Sequence, residues 1–73
     1  MRTIIPPKEY TAENVKSIRM STGLPQDVFA LAIGIAPETL RGWEQGHGKP
    51  DVAASRILYA IELDRHILDY YVH

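Results

Sequence analysis

Cysteine is absent from the 73 residues, which excludes a disulfide framework and any thiolate metal site. The absence fits a reducing compartment, and a cytoplasmic location is the expectation. No apolar run approaches the ~20 residues that a membrane span requires, so no membrane partner is expected. The opening segment, MRTIIPPKEY, has neither a long apolar stretch nor a small-residue cleavage site, and it is not read as a secretory signal. The three histidines, His47, His66 and His73, lie far apart without metal-ligand spacing. No Ser-His-Asp arrangement or phosphate-cradling loop is evident. The chain is therefore not read as an enzyme, and no metal or cofactor is expected.

An excess of one charge sign is missing as well: the net charge is −1. Residues 1–50 carry six basic side chains (Arg2, Lys8, Lys16, Arg19, Arg41, Lys49) and five acidic ones (Glu9, Glu13, Asp27, Glu38, Glu44). Residues 51–73 are acidic, with Arg56 and Arg65 set against Asp51, Glu62, Asp64 and Asp69. The counts show no strongly basic face, which weighs against a nucleic-acid role. The length allows one small domain that buries only about 60% of the surface its unfolded chain exposes, so modest stability is expected.

What is present is a series of short helical signals. Pro6-Pro7 marks residues 1–10 as an extended N-terminal arm, followed by a single domain over 11–73. Thr11 reads as an N-cap with Glu13 in the first turn, and Tyr10 with Val15 as a hydrophobic staple. Val15, Ile18 and Thr22 set a first helix over 12–22, stopped by Gly23. Leu24 and Pro25 open a second helix with Phe29, Ala30 and Ile33 on its buried face, ended by Gly34. Pro37 starts a third helix, with Leu40 and Trp43 spaced i, i+3 and Gly46 as its stop. Asp51 caps a fourth, carrying the stripe Ala54, Ile57, Leu58 and Ile61. Asp64 reads as the cap of a short fifth helix with Ile67, Leu68 and Tyr71 turned inward. The fold class is all-α, a compact five-helix domain.

Two short helices joined by a tight glycine turn, over about 25–45, suggest a helix-turn-helix. Ala30 falls where the two helices cross, Gly34 falls at the turn, and Ile35, Leu40 and Trp43 fall where the second helix of the unit must bury itself. An ordinary helical hairpin in a small bundle is the bland alternative. The segment VKSIRMSTGLPQDVFALAIGIAPETLRGWEQGHGKP also resembles the Xre/Cro-type helix-turn-helix domain of phage repressors and of HigA-type antitoxins. The likeness runs from about Val15 to Leu68 and rests on the elements GLxQ, FA, WEQG and KP taken together.

That resemblance implies a lambda-repressor-like five-helix fold and a sequence-specific transcriptional regulator. It implies a repressor that binds double-stranded operator DNA as a homodimer. The likeness to antitoxins adds a small basic toxin as a further partner. Glu44 resembles the family glutamate that pairs with an arginine on helix one, here Arg19. Gln26 resembles the family glutamine that holds a phosphate at a helix N-terminus. Away from the core, helix three presents Glu38, Arg41, Gly42 and Gln45, with Ala36 and Pro37 at its N-terminus, and Thr39 is a further DNA-binding candidate. Arg41 suits the bidentate fork to guanine O6 and N7, and Glu38 can accept from cytosine N4. The bland reading of these two is a solvated i, i+3 ion pair. Beyond the helix, Gly46 and Gly48 free the backbone for close approach to a phosphate, with His47 and Lys49 in the same loop. The chain departs from the family pattern at Pro25 and Ala36, where capping residues are usual. It departs again at Gly42, where a base-reading side chain is common. A second reading is a protein-interaction module, carried by Tyr59, Ile67, Leu68, Tyr70 and Tyr71 in the C-terminal part.

Overall fold

The computed structural model describes residues 2–6 and 8–72; Met1 and Pro7 of the expected arm, and His73, lie outside the described residues. Four α-helices follow in order: α1 (Ala12–Thr22), α2 (Gln26–Ile33), α3 (Pro37–Glu44) and α4 (Val52–Leu63). Among the described residues one 3-10 turn, Ile67–Tyr70, follows α4. The expected fifth helix is thus one turn of 3-10. Asp64 leaves α4 in an extended conformation, at φ −150°. Its carboxylate accepts from the amide of His66 at 3.0 Å, and its carbonyl accepts from Ile67 at 3.1 Å. These bonds form a tight turn, and the residues after it continue with i to i+3 bonds from Asp69 N to His66 O and from Tyr71 N to Leu68 O, the 3-10 pattern.

Local chemistry accounts for the other boundaries. Thr11 caps α1 through its side-chain oxygen, which accepts from Asn14 N at 3.1 Å. Asn14 Oδ1 accepts in return from Thr11 N, completing a capping box. Tyr10 and Val15 on either side of the cap are both buried. At the end of α2, Gly34 adopts φ +86°. Its amide donates to Leu31 O, and the amide of Ile35 reaches back to Ala30 O at 2.9 Å. The same pair of bonds closes α3, where Gly46 at φ +81° donates to Trp43 O and His47 N donates to Gly42 O. Both are Schellman endings, and a side chain at either glycine would be strained.

The core gathers one face from every element: Tyr10, Val15, Ile18, Phe29, Ala30, Ile33, Leu40, Trp43, Ala54, Leu58, Ile61 and Leu68. Phe29, Ala30, Leu40 and Leu58 are fully shielded from solvent. Ala30 is fully buried on α2, the helix whose pairing with α3 is the most extensive in the fold. Ile35 is only half-buried, packed against the core edge. Two expected core positions turn out to face solvent. Ile57 lies on the rim of α4, 36% exposed, because Ala54, Leu58 and Ile61 already cover the facing helices. Tyr71 is 71% exposed, since the 3-10 turn rotates Leu68 inward and carries position 71 outward.

Lys8 and Tyr10, just before α1, are strapped to α4. Tyr10 Oη donates to Glu62 Oε1 at 2.6 Å, and Lys8 Nζ lies 3.1 Å from the same oxygen. The Lys8 ammonium also stands 5.6 Å from the ring centroids of Tyr10 and Tyr59. The Glu62 carboxyl is held below its ordinary value, first by the Tyr10 hydrogen bond and then by Lys8, against the opposing effect of burial. Burial, followed by the bond to that carboxylate, pushes the Tyr10 phenol well up. No helix among the described residues is long and apolar enough to cross a membrane.

Candidate nucleic-acid interface

A buried ion pair sets the site's geometry. Arg19, near the end of α1, reaches Glu44, the last residue of α3, with two parallel bonds: Nε to Oε2 at 2.8 Å and Nη2 to Oε1 at 3.0 Å. The Glu44 side chain is 5% exposed and that of Arg19 15%. The remaining guanidinium nitrogen donates to Leu24 O at 3.3 Å, in the turn before α2. Gln26, the first residue of α2, donates its side-chain amide to Glu44 Oε1 at 3.1 Å. Three helices therefore meet at one carboxylate, and the Arg19 guanidinium ties the turn before α2 to them. Burial acts most strongly on Glu44 and pushes its carboxyl up. The hydrogen bonds from Arg19 and Gln26, with the charges of Arg19 and Lys16, outweigh burial and hold it below its usual range. Arg19 is pushed up, chiefly by its bond to Glu44.

The pair aligns two polar edges. One is the N-terminus of α2. Pro25 occupies the cap and offers no side-chain acceptor. First-turn amides that lack an intrahelical partner suit an anion there. Gln26 is held at this edge by Glu44, with one amide proton still free. The exposed Asp27 carboxylate lies in the same turn and opposes an anion. The second edge is the outer face of α3. Leu40 and Trp43 face the core, while Glu38, Thr39, Arg41 and Gln45 are exposed. Pro37 occupies the first helical position and is half-buried, and Gly42 is half-buried in the middle of the helix. Among the described residues neither Glu38 nor Arg41 enters a salt bridge, so the surface ion pair between them does not form.

The loop after α3 keeps His47 and Lys49 exposed next to Gly46 and Gly48. Gln26, Glu38, Arg41, Gln45, His47 and Lys49 thus belong to a continuous stretch of α2, α3 and the loop. Thr39 sits apart from them, on the side of α3 that forms a cleft with Ile35, Trp43 and Ile57. Two cations at this side of the molecule carry no local sequence signal. Lys8 lines a cleft with Lys49 and Pro50, although 41 positions separate the two lysines. Lys16 on α1 stands close enough to Glu44 to act on its ionisation. Only the folded chain brings either near the loop or the pair.

Taken together, the outer face of α3 carries one guanidinium, one carboxylate and one carboxamide, beside the amides at the start of α2 and a glycine-containing loop. A family profile described as helix-turn-helix matches residues 15–58, more than half of the chain. No curated protein matches the chain.

Proposed function

The chain belongs to the Xre/Cro-type helix-turn-helix family of DNA-binding transcription regulators, and we propose that it is a repressor that reads operator DNA with α3 in the major groove. The observation that carries this reading is the outer face of α3, where Glu38, Arg41 and Gln45 are exposed and, among the described residues, without a side-chain partner, while Glu44 beside them is locked to Arg19. Arg41 serves as the fork to a guanine, and Glu38 as the acceptor from a cytosine. Gln26, the α2 amides, His47 and Lys49 hold phosphates and fix the register.

A single face with so few reading groups specifies a short half-site, so the proposed active form is a homodimer on a two-fold operator. Selection of bound duplexes from a random pool tests the reading. A two-fold consensus bound with an affinity that falls with salt is the expected result, at a slope of about −0.9 per phosphate neutralised. Failure to retain any duplex at low salt would overturn it.

A second role, binding a small basic toxin, draws support from the C-terminal part of the chain. Tyr70 is 81% exposed and Tyr71 71%, amid an excess of acidic residues over 51–73. Leu68 does not contribute, because it is buried in the core, and Tyr59 packs against Lys8. Tyr70→Ser with Tyr71→Ser should abolish toxin binding while leaving operator affinity within about twofold.

A further inference from the structure

Gly42 sits in the middle of the outermost line of α3. At 3.6 residues per turn, Glu38, Gly42 and Gln45 share the face opposite Leu40 and Trp43, and Arg41 flanks it. The fold has no need of glycine there. Gly42 is not among the glycines with positive φ, and a Cβ added to it would meet nothing within 4 Å. Glycine is nonetheless a poor helix former. It sits in a helix of eight residues whose N-cap, Ala36, contributes no side-chain bond. The polar groups of position 42 are already engaged. Its carbonyl accepts from His47 N at 2.8 Å, and an interior amide bonds within the helix. What is left on the surface is a small, bare, apolar notch rimmed by Glu38, Arg41 and Gln45.

We propose, on the premise that α3 enters the major groove, that Gly42 is a specificity-determining position that seats the C5 methyl of a thymine beside the guanine read by Arg41. The thymine methyl is the apolar group that base edges present in that groove. A notch with no free donor or acceptor complements it and offers nothing to the polar edges of the other bases. The missing side chain also lets the helix axis approach the base pairs closely enough for Arg41 and Gln45 to reach past it. The departure from a bulky reading residue is then itself a means of reading.

The test uses the full chain, its selected duplex, a non-specific duplex, and selected duplexes in which each thymine in turn is replaced by deoxyuridine. Loss of the methyl at one thymine should weaken the wild type about fourfold, in line with the transfer of one methylene-sized group. Gly42→Ala should raise the melting temperature by roughly 4–8 °C, because it improves the helix without a clash. It should also weaken the selected duplex about tenfold, leave the non-specific duplex unchanged, and erase the difference between thymine and deoxyuridine. A fall in melting temperature would overturn the inference, and so would an undiminished affinity of Gly42→Ala for the selected duplex. Deoxyuridine without effect at every thymine would do the same, and so would a selected site with no thymine next to the guanine. These outcomes leave the major-groove reading standing. A wild type that retains no duplex at all would remove both.

Discussion

Replacing Glu44 by alanine tests the central joint of the molecule. The substitution removes the acceptor of both Arg19 bonds and of the Gln26 amide in one step. Arg19 stays 15% exposed and keeps its bond to Leu24 O, so its charge is left mostly desolvated with one neutral partner. Breaking a buried pair from one side costs about 3–5 kcal/mol. The residual bond and partial exposure place this case near the lower end, at about 3 kcal/mol. Domains hold roughly 0.05–0.15 kcal/mol per residue, so a chain of this size has about 4–11 kcal/mol in total. The loss is therefore a large share of the whole.

At roughly 4–8 °C per kcal/mol for a domain this small, the melting temperature should fall by about 12–24 °C in calorimetry or circular dichroism. A double replacement, Arg19→Met with Glu44→Leu, should recover most of the loss, because apolar residues of similar volume do without the desolvation penalty. That variant should still bind operator more weakly than the wild type, since Gln26 has lost the carboxylate that orients it. A fall of under about 4 °C for Glu44→Ala would refute the reasoning. It would mean that water or another acceptor satisfies Arg19 as well as Glu44 does.

Further expectations concern reading, acid stability and the N-terminal strap. Arg41→Ala should cost about 1–3 kcal/mol on the selected site and relax preference at one base position per half-site, whereas Gln26→Ala should weaken all duplexes by a similar factor; an equal loss on every duplex for Arg41→Ala would make it a phosphate contact. Because the folded Glu44 carboxyl titrates below its ordinary value, its contribution is complete above about pH 5 and is lost as the pH falls through the folded value. Unfolding followed from pH 6 to pH 3 should therefore show declining stability, with a shallower decline in Glu44→Gln; an identical slope would contradict the assignment. Tyr10→Phe removes the 2.6 Å bond to Glu62, a carboxylate with a third of its side chain exposed, and should cost about 1 kcal/mol in urea denaturation. No change in the midpoint would show that water replaces the hydroxyl.

What the sequence determined by itself about this protein is what its short-range chemistry decides. Thr11 and Asp51 start α1 and α4, because each side chain reaches an amide three residues ahead. Gly34 and Gly46 end α2 and α3, because glycine alone takes a positive φ there without strain. The apolar spacing of Phe29, Ala30, Ile33, Leu40 and Trp43 marked the core faces of the two central helices, and the likeness to a known family supplied the Arg19–Glu44 pair. Tertiary structure decided the rest. The tie between Gln26 and Glu44, the strap from Lys8 and Tyr10 to Glu62, and the approach of Lys8 to Lys49 join positions far apart in the chain, which no local pattern encodes. The outward turn of Tyr71 and the exposure of Ile57 depended on which apolar residues the neighbouring helices had room to cover. Hydrophobic burial is non-directional. An apolar stripe says that a face will be covered, and only the packing of the other helices says how much of it.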